Sequence, residues 1–154
     1  MKSKTLLVTL ALCVATGTAC FAANANMGTW MLNPKKSKLA RGANRNNTVL
    51  YSSTFFQTKV TIDGTDAKGK PIHSEWTGQF DGKDHAVTGD PMEDMRAYTK
   101  VDDRTLNFTM KKAGKVVVTG RIVVAPDGKS RTVTTMGTDA KGKKVRSMAV
   151  YDKA

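Results

Sequence analysis

From about residue 28 onward, apolar and polar side chains alternate with a period of two, the signature of half-buried strands rather than helices. In the stretch from Ile72 to Phe80, one face carries Ile72, Trp76 and Phe80, and the other carries His73, Glu75, Thr77 and Gln79. Leu106, Phe108 and Met110 alternate with Asn107, Thr109 and Lys111, while Val116, Val118, Ile122 and Val124 share one face of a longer strand. Thr and Val, which suit a pleated surface, are abundant. Turn signals punctuate the pattern: Gly69-Lys70, Gly82-Lys83, Gly114-Lys115, Gly128-Lys129 and Gly142-Lys143 repeat one device, and Asp81-Gly82 and Asp127-Gly128 are hairpin signals. Strands are predicted over residues 28–32, 47–52, 57–63, 70–80, 83–88, 95–101, 105–111, 115–125, 130–137 and 144–152. Joined by hairpins, they form an all-β, up-and-down antiparallel meander. A meander this long removes its edges by closing into a barrel, here of about eight to ten strands. Residues 33–47, polar and basic without periodicity, read as the one long loop.

The residues from Gly64 to Lys70 recur identically from Gly137 to Lys143. An internal duplication and a turn solution used twice both account for this, the second slightly better.

The beginning of the chain breaks the alternation. Lys2 and Lys4 precede an apolar run from Leu6 to Ala15, and Ala23-Asn24-Ala25 fits a small-x-small cleavage site. The run falls short of the roughly 20 residues that span a bilayer, so residues 1–25 read as a removed signal peptide and residues 26–154 as one domain. Both cysteines, Cys13 and Cys20, fall in that leader, which leaves the domain without a disulfide or thiolate. Ala22 is an alternative last residue of the leader, lipidation at Cys20 is the less favoured alternative to cleavage, and a periplasmic or secreted location follows from either cleavage site.

The full chain carries a net charge of +12, and 23 basic against 13 acidic side chains, or +10, remain without Lys2 and Lys4. Such an excess favours anionic partners. Nucleic acid is not the expected one, because the chain is exported and its aromatics form no stacking platform. No nucleophile elbow, zinc-protease helix or phosphate loop occurs, so an enzyme is not expected. His73 and Glu75 share a strand face and His85 is the other histidine, but nothing brings them together, and neither metal nor cofactor is expected. Asp90, Glu93 and Asp94 read as a solvated acidic turn.

Gly28-Thr29-Trp30 opens the first strand and Val150-Tyr151-Asp152-Lys153-Ala154 closes the last. This pairing resembles the calycin superfamily of lipocalins, fatty-acid-binding proteins and avidins. The whole domain also resembles secreted bacterial proteins of uncharacterised function with G-T-W, G-K-P and V-T-G-D-P motifs. The resemblance implies a lipocalin-like barrel that opens at the end bearing the first inter-strand loop and is plugged by Trp30. The last strand departs from fatty-acid-binding proteins: Tyr151 matches the tyrosine of their R-x-Y carboxylate clamp, but Ala149 stands in the arginine position.

Hairpins of a meander alternate between the barrel's ends, so charges can be sorted by end. The first end, with the 33–47 loop, receives thirteen basic and five acidic side chains, against four and five at the second. Lys35, Lys36, Lys38, Arg41, Lys68, Lys70, Lys141 and Lys143 define the expected basic mouth. Trp76, Phe80, Tyr98, Phe108, Arg121 and Tyr151 are the candidates for lining a ligand cavity, and Trp30 is expected to pack under Arg121 or Arg146. The reading is a monomeric, exported, lipocalin-like binding protein for a small, partly apolar ligand, neutral or anionic. The alternative is a filled barrel whose basic end acts on anionic lipid, polysaccharide or protein. An enzyme of unknown class is the third.

Overall fold

The computed structural model describes residues 24–154. The expected leader, with Cys13 and Cys20, lies outside these residues apart from Asn24 and Ala25. Ten strands follow one another: β1 (Gly28–Leu32), β2 (Arg45–Thr54), β3 (Gln57–Thr65), β4 (Pro71–Gly78), β5 (His85–Thr88), β6 (Met95–Lys100), β7 (Thr105–Lys112), β8 (Lys115–Val124), β9 (Ser130–Thr138) and β10 (Lys144–Lys153). Each pairs antiparallel with its neighbour in sequence, and β1 pairs with β10 from Trp30↔Lys153 to Leu32↔Tyr151, so the sheet is a closed barrel. The meander and its closure follow the alternation pattern.

The departures are local. The predicted loop over 33–47 ends early, because β2 begins at Arg45 and absorbs a bulge between Asn46 and Thr48. The strand predicted over 83–88 shrinks to His85–Thr88, since the Asp81 carboxylate accepts the Lys83 N–H at 3.1 Å and Gly82 turns with φ +80°. A second bulge, where Met110 pairs with Val118 but Lys111 with Val116, shifts the parity of β8 and puts Val116 outside, away from the face of Val118. The two identical heptapeptides build the same turn. Asp66 accepts the N–H groups of Lys68 and Lys70 at 2.8 and 2.9 Å, and Asp139 those of Lys141 and Lys143 at 2.9 Å each.

Register arranges the inward residues of β6–β10 in stacked rows. Nearest the first end lies Arg96–Met110–Val118–Gly137–Val145, then Tyr98–Phe108–Gly120–Thr135–Ser147, then Leu106–Ile122–Val133–Ala149. Nearest the second end, Val124–Arg131–Tyr151–Leu32 crosses the closure seam. The second-end rows are mostly buried, whereas Met110, Val118, Gly137 and Val145 are only half-buried. Burial of the inward rows is therefore more complete toward the second end than on the β7–β10 side of the first, although a cavity of about 300 Å³ at the second end is lined by Thr105, Val124 and Arg131. Glycine makes part of this packing possible: a Cβ on Gly120 would lie 2.2 Å from the Phe108 ring, which folds over it. Gly120→Ala is therefore expected to cost about 1–3 kcal/mol through overpacking, read as a lower urea midpoint with an unchanged slope.

Candidate functional site

Two polar clusters meet in the middle of the barrel. The first begins at Glu93, in the β5–β6 loop at the first end. Its carboxylate accepts from both Nε and Nη2 of Arg96, and Arg96 Nη1 donates to the Tyr98 hydroxyl at 2.9 Å. Tyr98 in turn meets the Tyr51 hydroxyl at 3.5 Å. Glu93 is 1% exposed and Arg96 4%, so this ion pair lies inside the protein. Burial raises the Glu93 carboxyl above the ordinary carboxylate range and Arg96 pulls it back. The acidic turn is thus not a solvated cluster. Glu93 turns inward to Arg96, Asp90 accepts the Met92 N–H at 2.8 Å and Asp94 accepts the Ala113 N–H at 2.9 Å.

The second cluster surrounds Arg131 of β9. Its guanidinium carbon lies 4.8 Å from the Trp30 ring centre, 4.9 Å from that of Tyr51 and 5.1 Å from that of Tyr151. Arg131 is 2% exposed, and its Nε and Nη1 have no hydrogen-bond partner among the described residues. No carboxylate forms an ion pair with it among those residues. Cation–π attraction to three rings offsets part of the desolvation cost of this charge. Burial pushes the Tyr151 hydroxyl up to about 12, against the pull of Arg131, so it is a neutral donor at physiological pH.

Of the expected lining residues, Trp76, Phe80, Tyr98 and Phe108 come together. Trp76 stacks on Phe80 at 6.1 Å and meets Tyr98 edge-on at 4.8 Å, and Tyr98 lies 5.8 Å from Phe108. They fill the centre of the lumen and form the floor beneath the half-buried wall of Met110, Val118 and Val145. Tyr151 joins the Arg131 cage. Arg121 does not belong here: it is exposed and reaches Asn107 at 3.3 Å on the outer surface, because its neighbours Gly120 and Ile122 take the inward positions. The basic partners of Trp30 are likewise Arg131 and Lys153, not Arg121 or the exposed Arg146. Trp30 itself is fully buried and donates to the Asn26 carbonyl at 2.7 Å, beneath the 24–27 segment that crosses the second end.

The expected basic mouth divides. Lys35, Arg41, Lys68, Lys70, Lys141 and Lys143 are exposed in the 33–44 segment and the first-end turns. Lys36 and Lys38 lie along the outer wall, Lys36 4.0 Å from Asp152 and Lys38 bridged through its backbone to Met148 of β10. Glu93 gave no periodic signal, since it sits in a loop, whereas Arg96 shares the inward parity of Tyr98. Arg131 had one: a charge on the inward parity of Val133 and Thr135. His73 meets Asp63 at 2.6 Å on the outer surface, while His85 packs against Trp76, so the histidines stay apart.

No protein-family model matches the chain, and no curated protein does. Among solved structures it is similar to EF1p2_mFAP2b bound to DFHBI, at a TM-score of 0.47 and 12% identity over 86% of this chain and 97% of that one. It is also similar to mFAP1, a redesigned β-barrel bound to DFHBI, at a TM-score of 0.44 and 17% identity over 86% and 98% of the two chains.

The Glu93–Arg96 pair makes its own prediction. Glu93→Gln keeps the shape but strands a buried guanidinium, and is expected to cost about 3–5 kcal/mol in urea unfolding. Adding Arg96→Met removes the stranded charge and is expected to recover most of that loss.

Proposed function

We propose that the protein is an exported, non-covalent binder of a small amphipathic anion, held with its acid group toward Arg131. The observation that carries this reading is the charge balance of the interior. Among the described residues the buried charged side chains are Arg96, Arg131 and Glu93, two cations and one anion. Arg96 uses Glu93, which leaves Arg131 with unsatisfied donors in a low-dielectric surrounding. A ligand carboxylate would supply both the missing charge and the missing acceptors, and charge-assisted hydrogen bonds are the strong ones. Tyr151 stands beside Arg131 in register, so an arginine–tyrosine pair exists although Ala149 holds the position next to Tyr151 on its own strand face. The exposed lysines around the first end would raise the local concentration of anions at the protein. Nothing in this arrangement needs a catalytic group, a metal or a second subunit.

The rival reading, a barrel that acts through its basic end alone, draws on the packed second-end half of the lumen. Tryptophan fluorescence separates the two, because Trp30 contacts Arg131 and Trp76 lies in the central aromatic cluster. Decanoate is expected to change the emission saturably, with decanol much weaker. Arg131→Met is expected to lower decanoate affinity roughly tenfold or more while unfolding cooperatively in urea. Equal responses to decanoate and decanol, or an Arg131→Met variant that binds as the parent does, would overturn the reading.

A further inference from the structure

The β2–β3 turn breaks two rules at once. Its two-residue tip is Phe55-Phe56, and the side chains are 103% and 90% exposed. Phe55 also holds φ +46°, a left-handed conformation usual for glycine or asparagine and costly for a bulky residue. A Gly or Asn there would relieve the backbone, and any polar pair would remove the exposed apolar surface. Departures of this kind from local sequence preference concentrate at functional sites.

The surroundings of the tip narrow what it meets. Ser53, Thr54, Gln57 and Thr58 flank it without charge, and the nearest lysine along the hairpin, Lys59, is held by Glu75 at 2.6 Å. Gln79 donates to the Phe56 carbonyl at 3.2 Å and braces the turn from the β4–β5 segment. Val101, in the β6–β7 turn, is a further exposed apolar side chain at the same end. Two protruding rings are too small a surface for a stable protein interface, which needs on the order of 1,000 Å². They suit the headgroup level of a bilayer, where aromatic side chains are favoured.

We propose that the Phe55-Phe56 tip is a membrane-contact finger that seats the second end of the barrel at a phospholipid surface and leaves the basic, open end facing away. The surface it takes is a zwitterionic one, because neither the tip nor the second end carries excess positive charge. Its contact is apolar, and salt therefore does not screen it.

The test is flotation of the exported protein with phosphatidylcholine vesicles at low salt and at about 0.5 M salt. Co-flotation is expected at both, and the Phe55→Ser, Phe56→Ser double variant is expected to lose it roughly tenfold or more while keeping its thermal midpoint and its response to decanoate. As a second readout, Phe56→Trp is expected to give a blue-shifted component that brominated phosphatidylcholine quenches. Vesicle binding that requires anionic lipid and disappears with salt would assign the contact to the basic end and overturn the proposal. So would vesicle binding unchanged in the double variant, absence of binding with no quenching of Phe56→Trp, or dimerisation through the tip without lipid. The decanoate response reads the lumen separately, so the two proposals fail independently.

Discussion

The guanidinium of Arg131 lies among rings from three other strands, Trp30 of β1, Tyr51 of β2 and Tyr151 of β10. With β9 itself, these are the four strands that flank the closure of the barrel. β1 is five residues long and shares only three register positions with β10. So short a ladder closes a ring weakly by backbone bonds alone, and the side chains inside supply much of the remaining cohesion. A hydrocarbon in place of Arg131 could pack against the same rings, but it would offer no donors to the lumen. The arrangement thus joins a structural role, drawing the seam together, to a chemical one, a buried positive charge with spare hydrogen-bonding capacity toward the second end of the barrel.

The same division runs along the barrel axis. Toward the second end Leu106, Val124 and Trp30 are buried with the 24–27 segment laid across them, and a cavity of about 300 Å³ lies beside Thr105, Val124 and Arg131. Toward the first end Val118, Gly137 and Val145 leave the wall half-buried, and the turns around them carry lysines fixed by aspartate-capped backbones. Loops from the first end meet where Asn44 reaches Asp90 at 3.3 Å, beside the strand that carries Arg96. Basic charge therefore gathers at the first end, and burial of the inward rows is most complete toward the second.

Much of this was legible in the sequence because a strand exposes its parity. The ten strands, their order and the inward course of Trp76, Phe108 and Tyr151 all follow from alternation and turn residues. Alternation also excluded Arg121, whose neighbour Ile122 faces inward; assigning Arg121 to the lumen overlooked that rule. Arg131 obeyed the parity of Val133 and was concealed only by the expectation that a charge faces water. The bulge at Lys111 could not be read, since one inserted residue leaves no mark in composition, and it alone moved Val116 to the surface. Glu93 was hidden for a different reason: a loop has no periodicity, and its partnership with Arg96 exists only once the β5–β6 loop folds back over the opening. The exposed phenylalanines are the reverse case. The turn between the expected strands 47–52 and 57–63 already held Phe55 and Phe56, and the register Thr54↔Gln57 narrows its tip to that pair.

Native mass spectrometry of the gently purified protein is the most direct test of a lumen that holds an amphipathic anion. The account predicts a reproducible added mass that is lost on denaturation and that the released molecule carries as a negative ion. A clean unliganded mass, with no uptake from a mixture of fatty acids and other small amphiphiles, would contradict it.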